Sequence, residues 1–142
     1  MKKVFVAAAT VAVFALLVSS PAYAGPSKPS GTLAMTSQTA RLVAGSGPAY
    51  GQASGFDASY QGVKQQDKVR VQVICMQNGG VVYGDVADLT GSPSTVWFTL
   101  GQPANGTSVW TSGEASCRSD LYTVSGGNKV TYLATVGFMA TG

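Results

Sequence analysis

Histidine is absent from all 142 residues. Its absence removes Ser–His–Asp and Cys–His nucleophile activation, and with them the commonest protein metal ligand. Charge is scarce too, since Asp, Glu, Lys and Arg make up 11% of the chain. The only carboxylates close together in sequence are Asp85 and Asp88. Such a pair can serve glycoside hydrolysis, but these two lie at the end of Val81–Val86 and just past it in a Gly/Thr-rich stretch, where solvated, turn-forming aspartates are expected. Two carboxylates without a DxDxDG-like run are a poor Ca²⁺ loop. No SxxK motif supports a serine–lysine dyad, and Asn105-Gly106-Thr107 fits both a glycosylation acceptor and an ordinary loop turn, of which the turn is preferred. No run of Lys and Arg exists, and phosphate-dominated binding needs clustered cations, so no nucleic-acid partner is expected. The reading is of a protein that is not an enzyme and takes no cofactor and no metal.

What the chain does have begins at its N-terminus. Met1-Lys2-Lys3 is a short basic region, and Val4 to Val18 is apolar apart from Thr10. Ser19-Ser20-Pro21 breaks that run, and Ala22-Tyr23-Ala24 places small residues at the −3 and −1 positions of a cleavage site before Gly25. This pattern predicts a secretory signal peptide over residues 1–24. About 15 apolar residues fall short of the roughly 20 that cross a bilayer, so no membrane span is expected after cleavage. No cysteine near the site supports a lipoprotein anchor. The expected product, Gly25–Gly142, is secreted and has the length of one domain with a real core. The full chain carries a net charge of +3. Loss of Lys2 and Lys3 leaves seven cations against six carboxylates, a net charge of +1.

Cys75 and Cys117 are the two cysteines. In an exported chain an even pair reads as a disulfide. Closing a loop of about 43 residues contributes roughly 4 kcal/mol by the chain-entropy argument. Two thiols without histidine complete a tetrahedral zinc site only by recruiting carboxylates, so the disulfide is preferred.

All-β structure follows from composition and pattern. The 18 glycines, with abundant Ser, Thr and Val, suit strands and tight turns and disfavour helix interiors. Gly25–Gly31 reads as a flexible leader. Thr32–Met35 and Thr39–Val43 read as one interrupted strand, Ala44–Gln52 as a loop, and Ser54–Tyr60 as an alternating strand. Lys68–Gln77 is the strongest strand, with Val69, Val71, Val73 and Cys75 opposite Arg70, Gln72, Ile74 and Met76. Asn78-Gly79 is the best short hairpin signal, because both central positions of that turn need positive φ. Val81–Val86, Thr95–Leu100, Ala115–Val124 and Lys129–Ala140 complete about seven strands, the last two joined around Ser125-Gly126-Gly127-Asn128.

Short strands at this spacing point to two packed antiparallel sheets. From the hairpin at residues 69–84 (VRVQVICMQNGGVVYG), residues 115–122 (ASCRSDLY) and the long last strand, residues 32–142 resemble an immunoglobulin-like or fibronectin-type-III-like β-sandwich. The antibody hallmarks are missing: Tyr83 stands on the strand where a core Trp belongs, and Ala115 precedes the second cysteine by two. The resemblance implies that Cys75 lies on strand C and Cys117 on strand F, neighbours in one sheet, so the disulfide staples that sheet.

Function is then expected to lie on the surface. Val96, Phe98 and Leu100 make a core face that turns Trp97 outward. The same alternation turns Arg118, Asp120 and Tyr122 outward opposite Cys117, Ser119 and Leu121. Trp97, with a face holding Arg118, Tyr122, Ile74 and Met76, makes up the candidate binding set, since aromatics and Arg are favoured at interfaces. A one-residue slip would invert these faces; a separate alternative has Trp97 and Trp110 capping the sandwich ends. The leading expectation is a non-catalytic secreted module that binds a protein or carbohydrate at the envelope or outside the cell. A self-associating subunit of an extracellular filament or virion-like assembly is the alternative, and a small secreted enzyme or enzyme inhibitor is a third.

Overall fold

A computed structural model describes residues 27–36 and 47–142. The expected signal peptide and the expected strand Thr39–Val43 lie outside these residues. Eight strands are described: β1 (Ser30–Met35), β2 (Ala53–Gln61), β3 (Lys68–Gln77), β4 (Gly80–Leu89), β5 (Ser94–Thr99), β6 (Thr107–Ser108), β7 (Ala115–Val124) and β8 (Val130–Ala140). They form two antiparallel sheets, one ordered β1-β2-β5 and the other β6-β4-β3-β7-β8. β1 starts inside the stretch expected to be a loose leader, because Ser30 and Gly31 pair with Gln61 and Tyr60. The short edge strand β6 gives no periodic signal in two residues, and the sequence did not predict it.

Alternation decides which residues join the core. Val69, Val71, Val73 and Cys75 of β3 are buried, while the residues between them are not. Each fully buried aliphatic or aromatic side chain contributes about 1.5–3 kcal/mol. Phe56 links the sheets, meeting Phe98 at 5.9 Å and Phe138 of the facing sheet at 5.7 Å between ring centres. At one end Trp110 is buried, donates Nε1–H to the Gly113 carbonyl at 3.1 Å and meets Tyr50 edge-on at 5.4 Å. The segment around Ala49 joins the end of β8 there through a parallel bridge to Thr141.

The hairpin between β3 and β4 turns at Asn78 (φ 50°) and Gly79 (φ 80°), as the Asn-Gly signal requires. Cys75 and Cys117 are directly opposed on the adjacent strands β3 and β7, and they are joined by a disulfide with Cα atoms 4.0 Å apart. The bridge therefore staples β3 to β7 near the hairpin end of their ladder, from the buried side of the sheet.

The two aspartates are not turn residues. β4 runs on to Leu89 and carries both. Asp85 is buried and accepts backbone N–H bonds from Val86, Ala104 and Asn105, each at 2.8 Å. This pins the 104–107 loop against the sheet, and Gly106 is needed because a Cβ there would collide with the Gly84 carbonyl. Asp88 faces outward and pairs with Arg70 Nε at 2.6 Å. Turn chemistry misled here because a strand edge that receives a loop uses the same residue types.

Candidate binding face on the five-stranded sheet

Four rows of side chains cross the outer face of the five-stranded sheet, in the strand order β4, β3, β7, β8. The register sets them as Asp88–Arg70–Tyr122–Tyr132, Val86–Gln72–Asp120–Thr135, Gly84–Ile74–Arg118–Gly137 and Val81–Met76–Ser116–Met139. Two irregularities make these rows possible. The ladder shifts between Cys75 and Met76, leaving Val82 extra in β4 and turning Val81 outward. It shifts again between Leu121 and Tyr122, leaving Leu133 extra in β8, so that Tyr132 and Thr135 both face outward.

The second row holds the face together. Asp120 is 2% exposed although it points away from the core. It receives hydrogen bonds from Gln72 Nε2 at 3.0 Å, Thr135 Oγ1 at 2.8 Å and Arg118 Nε at 2.9 Å. A carboxylate this well covered is stable only with such donors. Arg118 spends its Nε on this bond, and its side chain is 57% exposed. The guanidinium is thereby fixed in place with its outer edge toward solvent, the geometry that receives a carboxylate or a carbonyl.

In the first row Tyr122 is 9% exposed. Tyr132 covers it on one side at 5.8 Å between ring centres, and Arg70 lies on the other. Burial raises the Tyr122 phenol above its ordinary value, and the Arg70 charge partly opposes that shift. Arg70 is itself held more firmly protonated, chiefly by its bond to Asp88. In the third row a Cβ added to Gly84 would meet nothing within 4 Å, and one at Gly137 would come no nearer than 3.9 Å to any atom. Ile74 and Arg118 therefore form a ridge between two open shoulders. Shallow depressions flank it, one of about 290 Å³ over Gly84 and Val86 and one of about 330 Å³ beside Tyr132 and Thr135. The fourth row is wet and, apart from Ser116 between the two methionines, apolar: Val81, Met76 and Met139 are 57%, 43% and 53% exposed.

Ile74, Met76, Arg118 and Tyr122 thus come together as the alternation predicts, with Tyr122 serving as a covered support beneath Tyr132. Trp97 stands apart, on the outer face of the opposite sheet, where it is 49% exposed. Sequence reasoning missed Tyr132, Met139 and Val81. The two bulges hide them, because strict alternation across Leu133 or Val82 inverts one flank. Comparison with protein-family models, with curated proteins and with solved structures returns no match.

Proposed function

We propose that this protein is an exported, immunoglobulin-like or fibronectin-type-III-like sandwich that acts as a non-catalytic binding module outside the cell or at its envelope. Its partner is a protein, engaged by the outer face of the five-stranded sheet. The fold type is supported by the strand order, in which β1, β2 and β5 face β4, β3, β7 and β8 as strands A, B and E face C′, C, F and G. Export is supported by the signal-like N-terminus and by the disulfide.

The row Val81–Met76–Met139 beside the anchored Arg118 carries the functional reading. Solvent-facing apolar side chains next to a fixed guanidinium have no role in the core, and Met, Tyr and Arg are the residues that interfaces favour. With no histidine in the chain and both thiols in a disulfide, the usual nucleophile chemistry has no source.

Light scattering on the purified mature protein at micromolar concentration separates a heterologous binder from a self-assembling subunit. A monomer whose Met76→Asp and Arg118→Glu variants lose a stoichiometric partner captured from envelope or secretome fractions supports the proposal. A regular oligomer that Met76→Asp dissociates replaces it with the structural-subunit reading.

A further inference from the structure

The opposite face of the sandwich carries a second site of different chemistry. On the outer side of β1-β2-β5, Trp97 of β5 is directly opposed to Gly55 of β2. An ideal Cβ at Gly55 would lie 2.9 Å from Cζ3 and Cη2 of the indole and 2.6 Å from Thr36 Oγ1. The benzo end of the ring therefore rests on bare backbone, in the space a side chain would take. A glycine opposite an aromatic lets the ring lie down across the strands. The indole is seated in advance and still half exposed.

Around it the face is polar and nearly uncharged. Asp57 pairs in register with Thr95, which donates Oγ1–H to Asp57 Oδ1 at 2.6 Å. Two residues further along β2, Ser59 and Thr32 share a hydroxyl hydrogen bond at 2.7 Å. From the Gly55–Trp97 row to the Ser59–Thr32 row is four residues, or about 13 Å of strand. Among the described residues, Asp57 is the only charged side chain on this stretch, and no cation lies beside it in these rows.

We propose that this face binds a neutral, flat β-1,4-linked glycan, with one pyranose ring stacked on Trp97 and its hydroxyls bonded to the Asp57–Thr95 pair. The indole face carries the negative side of its quadrupole outward, which suits the polarised C–H groups of a pyranose. With the Thr95 hydroxyl proton given to Asp57, the remaining carboxylate and hydroxyl lone pairs supply directional acceptors for sugar hydroxyls, which fix orientation. Asp57, with no compensating cation among the described residues of these rows, disfavours acidic polymers. A lone aromatic among Thr, Ser and Ala lacks the apolar area of a protein interface core. The surface is an open strand face with a depression of about 470 Å³ at its Thr32–Ser59 end, which suits an extended, ribbon-like chain better than a helical one. This site is independent of the partner proposed for the five-stranded sheet, and different residues test it.

Cellohexaose and chitohexaose are the probes, read by tryptophan fluorescence titration and by retardation in gels containing hydroxyethyl cellulose. Maltoheptaose and polygalacturonate are the controls for ring geometry and charge. Binding to at least one neutral β-1,4 probe is expected, with affinity falling at least tenfold in Trp97→Ala and clearly weakened in Asp57→Ala. Gly55→Ala keeps the indole but displaces it from its seat, so it should also weaken binding. Met76→Asp and Arg118→Glu should leave binding unchanged. The proposal is overturned if neither β-1,4 probe binds at millimolar concentration, if binding survives Trp97→Ala in a folded protein, or if polygalacturonate is the preferred ligand.

Discussion

Tyr83 is fully buried between the sheets, and its hydroxyl approaches the Asp85 carboxylate without closing a hydrogen bond of standard geometry among the described residues. Burial, and then the Asp85 charge, push this phenol far above its ordinary value of 10.0. The folded protein thus holds the proton more tightly than the unfolded chain. Stability from this group is complete below about pH 10 and is lost as pH rises from there toward the folded value, by up to about 1.4 kcal/mol per pH unit. Tyr122, raised by its own burial, adds to the same loss. Urea midpoints should be flat from pH 7 to about 10 and fall above it, and Tyr83→Phe should flatten part of that fall. A wild-type midpoint unchanged at pH 11.5 would contradict this. Asp120 governs the outer face in the same local way. Asp120→Ala strands the donors of Gln72, Arg118 and Thr135, and a loss of about 2–4 kcal/mol is expected in denaturant unfolding. Single-residue orientation was legible in the sequence where alternation is regular: Val96 and Phe98 do face inward and Trp97 outward. The burial of Tyr122 and Asp120 was not legible, because what covers them comes from β3 and β8, across register shifts that no periodicity announces.

The elements themselves were mostly readable. β3 and β7 have the bounds that their alternation and flanking turns imply, since a central strand with one buried face must repeat every two residues. β4 was misjudged at its C-terminal half. Gly84, Asp85 and Asp88 look like turn chemistry, yet Asp85 serves the 104–107 loop and Asp88 serves Arg70. A specific consequence follows for β6. Asp85→Ala removes the acceptor for the Ala104 and Asn105 N–H groups and should cost about 1–3 kcal/mol. Hydrogen exchange should accelerate at Ala104, Asn105 and the β6 pairing, while the β3–β7 ladder stays protected. Unchanged protection at 104 and 105 would mean that the loop is held by something other than this carboxylate.

The described residues form two sheets around an apolar core with one covalent staple, and each outer face presents its own chemistry. Composition together with the spacing of strands and turns pointed to that architecture: a Gly-, Ser- and Val-rich chain with few charges favours short strands, and their number and spacing call for two packed sheets. Replacing both Cys75 and Cys117 by Ala should lower stability by about 2–5 kcal/mol while the circular dichroism spectrum stays β-rich; a loss below about 0.5 kcal/mol would show that the staple is dispensable. The claim at the centre of the account is that the five-stranded sheet is the protein-binding side. Site-specific photo-crosslinking in the producing cell tests it directly, with the photoreactive side chain placed at Met76 or Met139 and, as a control, at Lys129 in the β7–β8 turn. Positions 76 and 139 should trap the same single heterologous protein, and position 129 should not. Crosslinks of equal yield from all three positions, or a product with the mass of two copies of this chain, would contradict it.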